Sequence, residues 1–344
     1  MAEEQAGAIH STKTFSIPKQ PDVFRGLQSV TGLRWLPNHN VLLATAMDRR
    51  ILCCDLSAES PAADTGDAKK PASPPMIPTT FLTWAHDNWA LHLDVHPDGQ
   101  RVATAGADRL VKIWRWGSQP HVNSLSGHKD WVRSVAFSPD GRILASAGDD
   151  GLVLLWESES GQRVATLPCE TNSLETVCWT PDGKHLAAAG FAGRVFIWDV
   201  VQRQLIESVD TGNFRSIEDE VLNGGFSYPG GTRRIACSPD GKQLVAAGLY
   251  ALTGFEVLGS KETLKFNHNR NTKVRYFGAA FHPSGDSLAY SIDTNLAIWN
   301  LSAKKVSHQI KADQLGMFDI CFSDDGKQLA AGGSKGLIRV WELS

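Results

Sequence analysis

Residues 126–156 read SGHKDWVRSVAFSPDGRILASAGDDGLVLLW, a pattern of three short strands separated by two turns. Apolar or alternating segments run from Trp131 to Ser138, from Arg142 to Ala147 and from Leu152 to Trp156, and glycine-containing turns separate them. A sheet of so few strands does not bury its apolar faces by itself. The stretch therefore predicts neighbouring copies that pack against it.

The same pattern occurs 42 residues earlier and 42 residues later. The earlier copy, AHDNWALHLDVHPDGQRVATAGADRLVKIW, ends at Trp114, and the later one, TVCWTPDGKHLAAAGFAGRVFIW, ends at Trp198. A period of about 40–45 residues is typical of the four-stranded blades of a β-propeller. The chain is therefore predicted to be a repeat array.

The repeat resembles the WD-repeat family in its Gly127-His128 pair, its Asp150-Gly151 turn and its terminal Trp156. Seven turns like the one at Pro139 mark seven repeats, and they lie at Pro37, Pro97, Pro139, Pro181, Pro239, Pro283 and Asp324. The resemblance implies an all-β fold, a seven-bladed β-propeller of four-stranded antiparallel blades. It covers residues 11–344.

The two ends of the sequence are predicted to close the ring. The last blade stops after its third strand, at Trp341, and Ser11–Ile17 alternates like a strand that belongs to no early blade. In WD-repeat proteins the missing outer strand comes from the opposite terminus, which covers an exposed sheet edge. We predict that Ser11–Ile17 pairs beside Leu337–Trp341 and completes the last blade.

The remaining boundaries follow from composition. Residues 1–10 are predicted to be disordered, and 11–344 to form one propeller domain with a disordered Pro/Ala/Ser/Asp-rich insertion at about 57–75. The outer strand of the first blade is expected after that insertion, at about Ile77–Thr83. A long loop is predicted at 210–231, and it carries Phe214 among acidic residues.

Charge and cysteine content exclude several classes of protein. The net charge is −3, without the clustered Lys and Arg of a nucleic-acid binder. No apolar run reaches the roughly 18 residues of a membrane-spanning helix, and the N-terminal 25 residues lack a secretory signal. The six cysteines show no paired spacing, which indicates reduced thiols. We predict a cytoplasmic protein that contacts neither nucleic acid nor membrane.

Two sets of polar residues repeat within the array. They are His128, Ser146, Asp150 and Trp156 in one repeat, and His86, Thr104, Asp108 and Trp114 in the preceding one. A serine-hydrolase triad is one interpretation of the first set. Trp can only donate, a hydroxyl can accept and donate, and His can link it to Asp, so the four groups also satisfy one another when buried. Because a catalytic site needs no duplicate, we interpret both sets as structural tetrads, as the resemblance implies.

Propeller geometry brings the loops before the inner strands and the turns between second and third strands to one rim. WD-repeat proteins commonly bind peptides or protein segments there, and exposed Trp, Phe and Arg are typical interface anchors. The alternative is that some of these side chains pack between blades. The predicted partner-binding residues are Trp89, Trp131, Arg133, Asp149, Phe191, Phe214, Arg275, Phe277 and Phe318.

These observations predict a non-catalytic scaffold that binds a peptide or protein on this rim, as a monomer or as a subunit of a larger complex. The alternative is a metal-dependent propeller hydrolase or lactonase, which needs carboxylates converging on the channel. The inner strands offer only Asp94, Glu175 and Asp319, on three separate blades. No catalytic residue, metal ligand or cofactor is therefore assigned.

Overall fold

The computed structural model describes residues 13–16, 29–57, 76–78, 80–116, 123–212, 231–259, 261–267, 275–312, 317–333 and 336–343. The predicted disordered N-terminus lies outside these residues. So do nearly all of the predicted insertion at about 57–75 and most of the loop at 210–231, including Phe214.

The described strands form seven sheets arranged as seven blades, which confirms the predicted fold class. The first three blades consist of β2 (Val30–Trp35), β3 (Val41–Ala46), β4 (Arg50–Asp55) and β6 (Thr80–Trp84); of β7 (Ala90–Val95), β8 (Arg101–Gly106), β9 (Leu110–Arg115) and β10 (Asn123–Ser126); and of β11 (Val132–Phe137), β12 (Ile143–Gly148), β13 (Leu152–Glu157) and β14 (Arg163–Pro168).

Blades 4 to 7 repeat this order from the channel outwards. They consist of β15 (Leu174–Trp179), β16 (His185–Gly190), β17 (Arg194–Asp199) and β18 (Gln204–Asp210); of β19 (Thr232–Cys237), β20 (Gln243–Gly248), β21 (Ala251–Glu256) and β22 (Glu262–Asn267); of β23 (Ala279–Phe281), β24 (Ser287–Ile292), β25 (Asn295–Asn300) and β26 (Lys305–Lys311); and of β27 (Met317–Phe322), β28 (Gln328–Gly333) and β29 (Leu337–Glu342) with β1 (Lys13–Ser16) and β5 (Met76–Pro78).

Small residues on the second strand of each blade allow neighbouring blades to approach closely. Strand β12 reads ILASAG and β16 reads HLAAAG, and five of the six residues in each are buried. Ala145 and Ala147 of blade 3 pack in one cluster with Leu174 and Val177 of blade 4. Because these strands are buried on both faces, they carry continuous apolar and small residues rather than a polar alternation.

The N-terminal strand closes the ring as predicted. Strand β1 pairs antiparallel with β29 over four positions, from Lys13 opposite Val340 to Ser16 opposite Leu337. Strand β5 then pairs in parallel with the other side of β1, so the last blade has a fifth strand. The edge of blade 7 is therefore covered twice by the chain's own segments.

The predicted outer strand of blade 1 is corrected: it starts three residues later and ends one residue later than expected. It was placed at about Ile77–Thr83, whereas the strand that pairs with β4 is Thr80–Trp84. Met76–Pro78 belongs to blade 7 instead. Pro78 ends that short strand, because proline has no backbone N–H to contribute to a continuing ladder.

One inner-strand position in several blades holds the next blade by a hydrogen bond. In each case a side chain accepts a backbone N–H from the neighbouring inner strand, and the pairs are Asp319 with Leu33 (2.8 Å), His92 with Val135 (3.3 Å), Ser134 with Val177 (3.3 Å) and Thr176 with Ile235 (3.4 Å). These polar side chains are buried where apolar packing would otherwise be expected. The bonds fix the register of one blade against the next.

All six cysteines are unpaired, in agreement with the thiols predicted from their spacing. Burial raises the pKa of the Cys53 thiol to about 11 and those of the Cys169 and Cys237 thiols to about 12. These groups therefore stay protonated near neutral pH and are weak nucleophiles. In the ranges that the structure describes, no helix has the length and apolarity needed to cross a membrane.

Candidate partner-binding rim

The first tetrad forms a continuous hydrogen-bonded chain between the strands of blade 3. The Trp156 Nε1–H donates to Ser146 Oγ (2.9 Å), and Ser146 Oγ lies 2.8 Å from His128 Nε2. His128 Nδ1 lies 3.0 Å from both oxygens of Asp150. Since Trp only donates and a carboxylate only accepts, the Ser146 hydroxyl and the His128 ring link the indole N–H to the Asp150 carboxylate.

The second tetrad has the same geometry in blade 2. His86 Nδ1 lies 2.8 Å from Asp108 Oδ1, His86 Nε2 lies 2.9 Å from Thr104 Oγ1, and the Trp114 indole donates to the same hydroxyl over 2.9 Å. Burial opposes ionisation of Asp108, but the hydrogen bond and charge of His86 together with the backbone N–H groups of Asp87 and Leu110 outweigh it and lower the pKa of the carboxyl. Both tetrads fasten the third strand to the turn before it.

The Ser-His-Asp order in blade 3 has the spacing of a hydrolase triad but lacks access. Ser146 is fully buried, and its Oγ already accepts the Trp156 proton. A nucleophile must reach a reacting carbonyl, and here the indole occupies that approach. The arrangement can stabilise the blade, and it offers no route for acyl transfer.

The variant His128→Ala is expected to lower the free energy of unfolding by about 1–3 kcal/mol, because Ser146 and Asp150 each lose a buried partner. Urea unfolding measures this change. His39→Ala is the matched control, since His39 is exposed and contacts only its own turn, at Pro37 O. An unchanged midpoint for His128→Ala would show that the chain of bonds contributes nothing to stability.

The tetrad is lost in blade 5, and the structure corrects which residue replaces its Trp. The sequence places Glu256 near the expected position, but the residue opposite Leu244 is Phe255, just as Trp156 is opposite Leu144. Phe255 is buried. Blade 5 thus keeps the aromatic packing without the hydrogen-bonding indole.

Two predicted aromatic residues meet on the rim between blades 2 and 3. The rings of Trp89 and Trp131 are 5.4 Å apart and nearly perpendicular, at 67°. The Arg133 guanidinium lies over the Trp131 ring, 4.8 Å from its centroid. All three side chains are half-buried, so each keeps a face towards solvent.

Arg133 continues the contact into blades 3 and 4. Its Nε and Nη2 donate to the Asp149 carboxylate over 2.9 and 2.6 Å, and the Ser173 hydroxyl donates to the same carboxylate over 2.6 Å. Arg133 Nε also lies 3.9 Å from Glu175 Oε1. This double contact fixes the guanidinium in one orientation.

Arg233 of blade 5 completes the contact. Its Nη1 lies 3.1 Å from the same Glu175 Oε1, and its guanidinium lies over the Phe191 ring, 5.3 Å from the centroid. We name the connected set the rim arc, and its members are Trp89, Trp131, Arg133, Asp149, Glu175, Arg233 and Phe191. It spans blades 2 to 5 on one face of the propeller.

Of the other predicted residues, Arg275 and Phe277 have described hydrogen bonds within blade 6. Arg275 is exposed, and its backbone N–H donates to Asp293 Oδ1 over 3.0 Å. Phe277 is half-buried on blade 6, and its N–H donates to Ser291 Oγ over 2.9 Å. Phe318 lies on β27, and at that position only the backbone is described. Phe214 lies outside the described residues.

Arg233 was missed as a rim residue, although the sequence contains its signal. The turn SPDG at Ser138 recurs at Ser238, so that Arg233 occupies the place of Arg133. Aligning the inner strands on that turn, rather than on the lost Trp, would have identified it.

The three channel carboxylates are each engaged by arginine. Asp94 and Asp319 lie 3.0 and 3.3 Å from Arg34, and Asp319 lies 3.2 Å from Arg234. Glu175 belongs to the rim arc. Among the described residues, no group of three or more His, Cys, Asp or Glu side chains is placed to share a metal ion. A cation at any of these carboxylates would compete with a guanidinium already in place.

Two buried histidines of blade 2 predict loss of stability in acid. Burial lowers the pKa of His86 despite the opposing effect of Asp108, and the pKa of His92 falls well below its usual range through burial and the charges of Arg234 and Arg34. The unfolded chain takes up these protons near pH 6.5 while the folded protein resists them. The contribution of these two histidines to the free energy of unfolding is therefore fully present above about pH 6.5, and it decreases as the pH falls below that value.

The free energy of unfolding is expected to fall by about 2 kcal/mol or more between pH 7.5 and 5.0. Urea unfolding across this range measures the change. His92→Gln removes one titrating group and should reduce the slope, whereas the exposed-site variant His39→Gln should keep it. A pH-independent midpoint would contradict the assignment, and an unchanged slope in His92→Gln would place the proton uptake elsewhere.

Comparisons with known proteins agree with this geometry. The family model described as "WD domain, G-beta repeat" matches residues 78–115, 119–157, 161–199 and 304–342. The chain is also 28% identical over 136 residues to the small ribosomal subunit protein RACK1 of Drosophila melanogaster. That match covers 36% of this chain and 41% of the relative's length.

The matched repeats correspond to defined strands. Residues 119–157 contain β10 to β13, which are the outer strand of blade 2 and the three inner strands of blade 3. The repeats at 161–199 and 304–342 are divided between adjacent blades in the same way. Each of these sequence repeats therefore links two blades, and the four matches together with the seven four-stranded sheets are consistent with a WD-repeat family.

Proposed function

We propose that this protein is a non-catalytic interaction scaffold that binds a segment of a partner protein on the rim arc. The observation that supports the proposal is the continuous contact from Trp89 through Arg133 and Glu175 to Phe191, which leaves half-buried aromatic and guanidinium faces along four blades. Trp and Arg in such positions supply most of the binding energy in many interfaces.

Rigidity of the site also supports binding. Asp149 and Glu175 hold Arg133 and Arg233, and the edge-to-face contact holds Trp131. A pre-ordered side chain loses less conformational entropy when a partner docks. The rim arc thus resembles a preformed interface rather than a solvated surface.

The non-catalytic part of the proposal follows from the two arrangements that resemble catalytic groups. Ser146 is buried beneath Trp156, and the channel carboxylates are paired with arginines. The similarity to RACK1, whose name makes it a ribosomal subunit protein, supports a role as a subunit of a larger assembly. A cytoplasmic location is part of the same proposal.

The test compares partners retained from native lysate by the wild type and by Trp131→Ala/Arg133→Ala, quantified by mass spectrometry. The control is Arg142→Ala/Lys242→Ala, whose side chains are 85% and 81% exposed at the opposite rim. The rim variant should lose a partner at least about tenfold while the control retains it. All variants must first show equal melting temperatures.

A second readout does not depend on variant stability. A photo-reactive amino acid at the exposed position of Asp130, beside Trp131, should cross-link the same partner, and one at Arg142 should not. Equal recovery by rim and control variants, or cross-linking from Arg142 alone, would move the binding surface away from the rim arc.

A further inference from the structure

The rim arc offers more hydrogen-bond donors than acceptors. Both oxygens of Asp149 accept from Arg133, and Oδ1 accepts also from Ser173. Glu175 Oε1 is buried between Arg133 and Arg233. Both Asp149 oxygens are therefore hydrogen-bonded within the arc or by Ser173, and Glu175 Oε1 is ion-paired with the two arginines but accepts no hydrogen bond among the described residues.

The two guanidinium groups of the arc donate through only some of their N–H groups. Arg133 donates to Asp149 through Nε and Nη2, and within the described residues its Nη1 has no acceptor. Arg233 contacts Glu175 through Nη1, and its Nε and Nη2 likewise meet no acceptor in the described part of the chain. The two side chains are 21% and 22% exposed. Neither guanidinium-bearing side chain is fully buried, and each keeps N–H groups that have no acceptor among the described residues.

Both arginines are also fixed beside aromatic rings. Arg133 lies over Trp131 and Arg233 over Phe191, and both contact the same Glu175 oxygen. A planar fork of donors held in this way suits a carboxylate better than a diffuse charge does. The adjacent Trp89–Trp131 pair presents an apolar surface.

From this arrangement we infer that the partner segment carries an Asp or Glu side chain that binds between Arg133 and Arg233, next to an aromatic or aliphatic residue that packs on the Trp89–Trp131 pair. This inference rests on the proposed binding function of the rim arc. A basic segment would find both Asp149 oxygens already hydrogen-bonded and Glu175 Oε1 ion-paired with two arginines, and it would face their guanidinium groups.

The charge balance favours a carboxylate over a phosphate group. The two arginines and the two carboxylates of the arc cancel formally, and a monoanion adds one charge to this neutral site. A phosphate near pH 7 adds nearly two charges beside Asp149 and Glu175, which increases the repulsion.

The test is selection of a phage-displayed random dodecapeptide library on the intact protein, run in parallel on wild type, Trp131→Ala/Arg133→Ala, Arg233→Gln and the opposite-rim control Lys242→Gln. Wild type and control should enrich peptides with Asp or Glu next to an aromatic or aliphatic residue. Arg233→Gln should lose the acidic preference, and the Trp131→Ala/Arg133→Ala variant should lose the peptides altogether.

A double-mutant cycle then uses one enriched peptide and its Asp→Asn or Glu→Gln analogue. The analogue should bind wild type at least about tenfold more weakly, and it should bind Arg233→Gln no more weakly than the acidic peptide does. That coupling would assign the carboxylate to Arg233 rather than to the peptide's general charge.

Four results would overturn the inference, and they separate its failure from that of the proposed function. Basic or uncharged peptides that wild type selects and the Trp131→Ala/Arg133→Ala variant does not would contradict the inference, and the rim would remain the binding surface. A phosphoserine analogue that binds more tightly than the acidic peptide would replace the carboxylate by a phosphate. Peptides selected equally by wild type and the rim variant, or no selected peptides at all, would overturn both.

Discussion

Deletion of residues 1–18 is expected to lower the free energy of unfolding by about 4 kcal/mol, which for a chain of this length is roughly 5 °C in melting temperature. The deletion removes β1, which pairs with β29 on one side and with β5 on the other. The deletion leaves the place of the buried Thr14 side chain, which is 4% exposed, unfilled. It also removes the hydrogen bond that Lys13 Nζ donates to Leu56 O in blade 1. Blade 7 would then lack its outer strand, and its contact with blade 1 would depend on packing and on side-chain bonds such as the one between Asp319 and the Leu33 N–H.

The matched control lacks residues 1–10 only, so that β1 remains, and it should melt with the full chain. Thr14→Pro provides a single-residue version, because proline removes one backbone donor from a strand that is paired on both sides. Differential scanning calorimetry measures all three variants. Equal melting of the full chain and the 1–18 deletion would show that strand closure does not stabilise the propeller.

The architecture was predictable because each repeat carries recognisable residues at its turns and at the end of its third strand. The turn at Pro139 and the terminal Trp156 recur at a fixed distance, and such periodicity determines the number of blades without knowledge of any contact. Closure was predictable for a related reason. An unpaired third strand at Trp341 requires a partner, and the alternating segment near Phe15 had no other place in the array.

Degenerate repeats were predicted less well. Blade 5 keeps its turn at Ser238 but not its Trp, and Phe255 replaces the indole one residue before the position inferred from the sequence. Strand β5 could not be recognised, since a three-residue segment ending in Pro78 carries no pattern that selects blade 7 over blade 1. Short parallel pairs depend on the assembled ring, which the local sequence does not encode.

Part of the candidate site was predictable from the sequence, and part was not. Trp89, Trp131 and Arg133 could be placed on one rim by register alone. The contact between Arg233 and Glu175 joins blades 5 and 4, and it depends on the reach of a long side chain across the curvature of the ring. Side-chain reach of this kind follows from the closed geometry and not from the repeat.

Arg234 bonds across the channel to two other blades, and Arg234→Ala is expected to lower the free energy of unfolding by about 2–4 kcal/mol. From blade 5 its Nε lies 3.2 Å from Asp319 Oδ1 of blade 7, and its Nη2 donates to Thr31 O of blade 1 over 2.8 Å. Asp319 is 3% exposed. Loss of the guanidinium leaves a buried carboxylate with Arg34 as its remaining cation.

The neighbouring variant Arg233→Ala is the control, because Glu175 keeps Arg133 as a cation when Arg233 is removed, so that the loss should be smaller, about 1 kcal/mol. Urea unfolding of Arg234→Ala, Asp319→Asn and the double variant completes a cycle. The two single losses should not add, since each removes the same cross-channel bond. Additive losses, or an Arg234→Ala midpoint equal to that of Arg233→Ala, would show that blades 1, 5 and 7 are held by their strand-to-strand packing and not by this arginine.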